Sequence, residues 1–164
     1  MITTIYLIAG VGAGLVALLF ALVKARWIFK QEKGSEELQK IGGYISEGAM
    51  AFLKREYRVL IPFVIIVTGF LAVANTGALR LQSVAFLMGA LASGLAGFIG
   101  MKVATAANSR TTHAAGRGLN PALKIAFSGG TVMGMSVVGL VLLGSSIILI
   151  AGFYLYGEDP ETIG

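Results

Sequence analysis

Apolar residues run along this chain in four long blocks, and short segments rich in charged residues separate the blocks. A helix that spans a bilayer needs about 20 mostly apolar residues. The pattern therefore predicts spans over about residues 5–28, 57–79, 82–107 and 121–157. The fourth block is longer than one perpendicular crossing requires, so its helix must tilt, project beyond the bilayer or bend at Gly129-Gly130. These blocks predict an all-α membrane protein with four transmembrane helices.

The segment between the first two blocks predicts an amphipathic helix over about residues 35–57. Its apolar residues recur at steps of three or four: Leu38, Ile41, Ile45, Ala49, Phe52 and Leu53. This stripe is expected to lie at the headgroup boundary or against other helices. Ser35 can cap the helix, and Glu36 and Glu37 fall in the first turn, where the helix dipole favours them. We expect the helix to run straight into the second span, with Pro62 tolerated in its first membrane turn.

The composition excludes most soluble proteins. Of the 164 residues, 56% are hydrophobic and 13% are charged, whereas an ordinary soluble domain has about 25% charged residues. Too few charges remain to cover a soluble surface, and the same apolar excess excludes intrinsic disorder. The 23 glycines fit a membrane protein, since glycine is more frequent in spanning helices than in soluble ones. Because the sequence has no cysteine, it also excludes disulfides and Cys-ligated metals.

The net charge of +5 is mostly a signal of membrane topology. Two alternate segments contain 12 of the 13 basic residues: Lys24, Arg26, Lys30, Lys33, Lys40, Lys54, Arg55 and Arg58 in the first, and Lys102, Arg110, Arg117 and Lys124 in the second. The positive-inside rule places both segments in the cytoplasm, so both termini are expected outside. The acidic residues Glu158, Asp159 and Glu161 then fall on the opposite side, which agrees. A nucleic-acid partner is not expected, because no base-reading motif accompanies the basic residues.

Carboxylates are absent from the predicted spans. No Asp or Glu occurs from Tyr57 to Gly157, and the first block has none either. Ion pumps need ionisable or oxygen-rich groups within the membrane, and buried carboxylates are the usual markers. Hydrolysis of a phosphoanhydride needs several carboxylates to hold Mg²⁺, but the one Asp of the sequence is Asp159, in the tail. We therefore predict that the chain itself contains no catalytic, cofactor-binding or metal-binding residue.

The polar residues of the second basic segment are the remaining candidates for chemistry. His113 is the one histidine, and a lone histidine cannot make a metal site, so we interpret it as a loop residue without a special role. Lys102 and Lys124 are expected to extend their ammonium groups to the cytoplasmic interface. A phosphate contact by Arg110 or Lys124 stays open, although no Gly-rich phosphate loop accompanies them.

Small residues at helical spacing predict where the helices touch one another. They form smooth faces in three blocks: Gly10 and Gly14; Ala90, Gly94, Gly97 and Gly100; Gly130, Gly134, Gly139 and Gly144. Such faces allow close approach of helix backbones in lipid, where packing replaces the hydrophobic drive. Helix packing is therefore the favoured interpretation, and glycines that line an ion path are the alternative.

Three strings resemble a known family. The segment 47–57, EGAMAFLKREY, is similar to the entry into the second helix of membrane-bound, ion-pumping inorganic pyrophosphatases. The segment 100–112, GMKVATAANSRTT, resembles the end of their third helix, and the segment 126–140, AFSGGTVMGMSVVGL, resembles their fourth. The resemblance covers essentially the whole chain in order, including the topology with the N-terminus outside.

The resemblance implies a homodimeric enzyme with sixteen helices per subunit. Such an enzyme hydrolyses pyrophosphate with Mg²⁺ and pumps H⁺ or Na⁺ out of the cytoplasm, here across a prokaryotic plasma membrane. The chain would be the N-terminal part of the pump and would supply outer-ring helices that buttress the catalytic core. The Asp-rich motifs of the family would lie beyond Gly164, so no catalytic residue is carried onto a position here. The choice between H⁺ and Na⁺, and dependence on K⁺, would be decided on later helices.

Two other functions stay open from the sequence. The chain could be a short membrane protein of the same family that acts as an assembly or interaction subunit. It could also be an unrelated four-helix transporter or channel-like oligomer, although the sequence offers no coordinating group for an ion path.

Overall fold

The computed structural model of the chain describes residues 2–157. It contains helices α1 (Ile2–Phe29), α2 (Glu36–Ala74), α3 (Leu81–Ala115) and α4 (Leu119–Tyr156), with a 3-10 turn at Gly77–Arg80 before α3. Each of the four helices is long and apolar enough to cross a membrane. The predicted all-α fold with four spanning helices is therefore confirmed. The acidic residues at 158, 159 and 161, on which part of the topology argument depended, lie outside the described residues.

The amphipathic segment and the second span form one continuous helix. α2 has 39 residues and passes through Pro62 without interruption. At its start, the Ser35 hydroxyl oxygen accepts a hydrogen bond of 3.3 Å from the Leu38 amide. Such a cap satisfies one of the amide donors that a helix leaves free in its first turn. The predicted Ser35 cap and the predicted continuity between the amphipathic helix and the second span are both confirmed.

The face of α2 that packs is not centred on the predicted apolar stripe. Of the six stripe residues, Leu53 alone is buried, and the bulky Ile41, Ile45 and Phe52 are exposed. Instead, Gly42 lies so close to α3 that a Cβ atom there would be 3.2 Å from Ser109 Cβ. The exposed apolar residues of the stripe are therefore available to lipid headgroups or to helices outside this chain.

The helix that contains the third predicted span is longer than the span of residues 82–107 itself. α3 continues to Ala115, and the turn that follows is short. The amides of Arg117 and Gly118 donate to the carbonyls of Ala114 and Ala115 at 2.9 and 3.1 Å. Gly118 has φ +126°, a conformation that favours glycine. Hydropathy predicts only the apolar part of a helix, whereas α3 continues through polar residues until the glycine-containing turn ends it.

The order of the helices in space differs from their order in sequence. α4 packs against both α1 and α3, and α2 packs mainly against α3. Contacting residues run in opposite directions along each packed pair, so the neighbours are antiparallel. The core cluster draws on three helices and consists mainly of small or β-branched residues: Ala21, Ile28, Val103, Ala107, Ala114, Ala122, Ile125 and Val132. Among the described residues, α4 is therefore the helix with two large packing interfaces, one with α1 and one with α3.

Several of the predicted glycine contacts occur, and others do not. A Cβ atom on Gly139 would lie 2.7 Å from Leu18 Cγ and 3.0 Å from the Gly14 carbonyl oxygen, and one on Gly100 would lie 2.7 Å from Met133 Cγ. Helix packing is thus confirmed as the role of these glycines. A Cβ atom would meet nothing within 4 Å, by contrast, at Gly94, Gly130, Gly134 or Gly144.

Most of the apolar surface is not covered within the chain. In the most apolar window of each helix, between 6% and 22% of the residues are buried. A soluble domain would bury such residues, because exposing them to water is unfavourable. The exposed apolar faces identify the chain as an integral membrane protein, with lipid or further helices around it.

Candidate functional site at the basic end of the bundle

The polar residues of the two basic segments meet at one end of the bundle. This is where α1 and α3 end and where α2 and α4 begin, and we call it the basic end. His113 near the end of α3 contacts Glu32, just after α1, while Ser109 of α3 contacts Gly42 of α2. The two segments that the charge pattern assigned to one side of the membrane therefore lie together in the fold.

Arg110 is the most buried charged residue of the basic end, with 4% of its surface exposed. Its Nε atom donates to the Gln31 carbonyl and its Nη2 atom to the Phe29 carbonyl, both at 3.2 Å. Its Nη1 atom donates to the Ala106 carbonyl within α3, and its Cζ atom lies 5.6 Å from the centre of the Phe29 ring. A helix leaves its last carbonyls without partners and carries partial negative charge there. Arg110 therefore fastens the end of α1 to α3.

The Arg110 geometry argues against the phosphate contact that the sequence left open for this residue. The guanidinium directs donors from all three of its nitrogens at main-chain carbonyls. A phosphate would have to displace these bonds and enter a nearly closed space. Lys124, the other candidate, is exposed.

His113 is not a loop residue, contrary to the prediction. It lies in the last turn of α3, and its Nε2 atom is 3.0 Å from Glu32 Oε2. The Nη1 atom of Arg117 also contacts this carboxylate oxygen, at 3.4 Å. Gly34 beside it has φ +83°, and a Cβ atom there would lie 3.0 Å from His113 Cβ. The α1–α2 connection therefore needs glycine at this position, and His113 ties it to α3.

We expect the substitution Glu32→Gln to lower the free energy of unfolding by less than about 1 kcal/mol. The Glu32 side chain is 70% exposed, so water and salt screen its attraction to His113 and Arg117. Unfolding in mixed detergent micelles, followed by circular dichroism, measures the change. Glu47→Gln is the matched control, since Glu47 makes no ion pair within residues 2–157. A loss above about 2 kcal/mol for E32Q alone would contradict the screened pair.

Lysine side chains at the basic end lie against aromatic rings. Lys24 Nζ and Lys124 Nζ lie 5.7 and 5.5 Å from the centre of the Trp27 ring, and Lys102 Nζ lies 5.8 Å from that of Phe98. These distances are within the range of cation–π attraction. The sequence could not show that Lys24 and Lys124 share one ring, because they are a hundred positions apart. That Lys102 and Lys124 reach the cytoplasmic interface stays a prediction.

The residues of the basic end do not form a metal site. Within the described range 2–157, no three His, Cys, Asp or Glu side chains come together as metal ligands could. Mg²⁺ is usually held by carboxylates, substrate phosphates and water. The described residues therefore do not fit the Mg²⁺ site that the resemblance implies for the whole pump, and no hydrolytic step is assigned to them. The absence of catalytic, cofactor-binding and metal-binding residues from the chain as a whole stays a prediction.

Comparison with known proteins points to one family. The sequence profile described as "Inorganic H+ pyrophosphatase" matches residues 15–161. A protein of Clostridium tetani, provisionally named a K⁺-stimulated pyrophosphate-energized sodium pump, is 45% identical over 96% of this chain and 22% of its own length. The K⁺-insensitive pyrophosphate-energized proton pump of Methanosarcina mazei is 40% identical over 93% of this chain and 22% of its own length.

A sodium pump and a proton pump thus resemble this chain about equally. The K⁺-stimulated pyrophosphate-energized sodium pump of Thermotoga maritima is 39% identical over 91% of this chain and 20% of its own length. The chain spans about a fifth of the length of these relatives. The profile covers most of the chain, and the relatives cover nearly all of it at about 40% identity. The chain therefore belongs to the inorganic H⁺ pyrophosphatase family.

Proposed function

We propose that this chain forms outer helices of a pyrophosphate-energised ion pump and that its role there is structural. The observation that carries the proposal is the match of nearly the whole chain to about a fifth of the length of proteins named as such pumps. Within residues 2–157, the absence of a ligand cluster for Mg²⁺ agrees with a supporting role. The whole pump would hydrolyse pyrophosphate with Mg²⁺ as a homodimer, and the metal ligands would come from its other segments.

The exposed surface supports packing against further helices. A cleft of about 460 Å³ runs between α3 and α4, and its lining includes Gly89, Ala92, Ser93 and Gly144. Small residues let another helix approach closely, and serines can add hydrogen bonds between helices. A Cβ atom at Gly89 or Gly144 would meet nothing within 4 Å. These faces are the proposed contacts with the remaining helices of the pump.

The proposed orientation has the basic end in the cytoplasm and both ends of the chain outside. The convergence of both basic segments supports it, because positive residues are retained on the cytoplasmic side. The proposed location is the plasma membrane of a prokaryote, in keeping with relatives from bacteria and an archaeon. The transported ion could be H⁺ or Na⁺, since the named relatives include pumps for each.

A chimera tests the proposal. The segment of the Thermotoga maritima pump that matches this chain is replaced by this chain, and pyrophosphate hydrolysis and Na⁺ uptake are measured in inverted membrane vesicles. We expect the chimera to insert, to hydrolyse pyrophosphate and to pump, because the grafted helices would reproduce the packing surface. A graft of equal length whose four helices are reordered is the control and should be inactive.

The isolated chain provides the second arm. We expect no hydrolysis of pyrophosphate above the detergent blank in the presence of Mg²⁺, because the described residues do not form the metal site. Robust turnover by the isolated chain would overturn the structural role. An inserted, folded chimera without activity would overturn the assignment of these helices to the pump.

A further inference from the structure

We propose that Lys24, Trp27 and Lys124 form a binding site for the headgroup phosphate of an anionic phospholipid. Two ammonium groups from different helices lie beside one indole ring, at 5.7 Å and 5.5 Å from its centre. Neither lysine pairs with a carboxylate in the part of the chain that the structure describes. Both positive charges are therefore free to attract an anion, and the two flexible side chains can converge on it from opposite helices.

The position of these residues along their helices selects a lipid phosphate. Lys24 is the first charged residue after the apolar stretch of α1, and Lys124 is the last before the apolar stretch of α4. Charges that border an apolar stretch lie at the level of the headgroups, and tryptophan prefers the same depth. Basic pockets between helices on the cytoplasmic side are known to suit anionic headgroups. This argument does not depend on the proposed role in a pump.

Apolar side chains beside the lysines offer a place for acyl chains. Phe20 lies one turn from Lys24, and Phe127 lies one turn from Lys124, each on the side of the apolar stretch. Both rings are exposed, and the Lys24 ammonium also lies 5.8 Å from the centre of the Phe20 ring. A phospholipid can use the charges and the apolar surface together, whereas free phosphate can use the charges alone. The combination therefore favours a lipid over a soluble anion.

Trp27 makes the site directly measurable, because it is the single tryptophan of the chain. The chain is reconstituted in phosphatidylcholine vesicles that contain a small fraction of either brominated phosphatidylglycerol or brominated phosphatidylcholine. Bromine atoms on the acyl chains quench a nearby indole, so the ratio of the two quenching constants reports preference for the anionic lipid. We expect a preference of at least about fivefold, because a single lysine near an anionic headgroup contributes about that factor and the site has two.

Matched variants separate this site from general attraction to the surface. The double variant K24Q/K124Q should lose the preference, K24R/K124R should keep it, and K102Q, which removes a lysine beside a different ring, should also keep it. Because each variant is compared across two lipids, a change in Trp27 emission or insertion cancels in the ratio. Equal quenching by both lipids in the unmodified chain, or a preference that survives in K24Q/K124Q, would overturn the proposal.

Soluble anions are the other source of phosphate, and a competition arm tests them. Inorganic phosphate and pyrophosphate are added separately to vesicles with brominated phosphatidylglycerol. We expect neither to relieve the quenching of Trp27 at constant ionic strength. Relief by either anion, absent with an equivalent amount of chloride, would show a site for soluble phosphate and overturn the lipid assignment.

Discussion

Replacing Arg110 by methionine is expected to lower the free energy of unfolding of the chain by about 2–4 kcal/mol. Methionine keeps most of the aliphatic volume but removes the donors that hold the carbonyls of Phe29 and Gln31. A hydrogen bond from a charged group contributes about 1.5–3 kcal/mol to stability. Methionine also removes the unfavourable burial of a positive charge, which offsets part of the stability that is lost with the hydrogen bonds. Unfolding in mixed detergent micelles, followed by circular dichroism, measures the difference.

Arg117 provides the matched control for Arg110. It lies just after the same helix, but its side chain is 53% exposed and contacts the exposed carboxylate of Glu32. R117M should therefore change the unfolding free energy by no more than about 0.5 kcal/mol. R110K should fall between wild type and R110M, because an ammonium cannot bridge two carbonyls in the fixed geometry of a guanidinium. Equal losses for R110M and R117M would contradict the fastening role of Arg110.

Replacing Gly139 by alanine is expected to destabilise the chain by about 1–3 kcal/mol. The added Cβ atom would lie 2.7 Å from Leu18 Cγ and 3.0 Å from the Gly14 carbonyl oxygen. The leucine can move, but the carbonyl belongs to the backbone of α1, so the two helices must separate. Since packing is the main force between helices in lipid, a wider spacing costs stability along the whole pair. The same unfolding measurement applies.

Gly134 is the control for Gly139, because it lies in the same helix and a Cβ atom there would meet nothing within 4 Å. G134A should be neutral or stabilising by up to about 1 kcal/mol, since alanine favours the helix. G139A is thus expected to lower the free energy of unfolding, whereas G134A is expected to leave it unchanged or raise it. In the double variant L18A/G139A, part of the overlap is relieved, so its loss should be smaller than the sum of the single losses. Additive losses, or destabilisation by G134A equal to that by G139A, would contradict this account of the α1–α4 contact.

Much of the secondary structure could be predicted from the sequence. Four spans, the Ser35 cap and the continuous α2 all follow from local rules: apolar length, capping chemistry and helical spacing. Such rules depend on neighbouring residues, so they can be applied without knowing the fold. Hydropathy predicted the third span to residue 107 but did not indicate that the α3 helix continues to Ala115. A helix in water ends at its cap or turn, and Gly116 and Gly118 were the available signal.

For the basic end, the sequence predicted which residues gather there but not which of them contact one another. The charge pattern placed both basic segments on one side, and their residues do meet at one end of the bundle. The pattern did not show that Arg110 is buried against α1, that His113 pairs with Glu32, or that Lys24 and Lys124 share Trp27. Each of these contacts joins residues about eighty to a hundred positions apart, and local spacing carries no information about such pairs.

By itself, the sequence determined that this chain has four membrane-spanning helices and that 12 of its 13 basic residues lie in two alternate segments, because length and hydropathy decide which segments leave water. The tertiary structure alone decided which faces meet. α4 packs against both α1 and α3, and Gly139 rather than Gly134 is a contact. In α2, Gly42 approaches α3 closely and Leu53 is buried, while Ile41, Ile45 and Phe52 stay exposed. Within the apolar spans, residues on every face suit lipid, so hydrophobicity cannot choose among the faces. Shape complementarity and the hydrogen bonds of Arg110 make that choice.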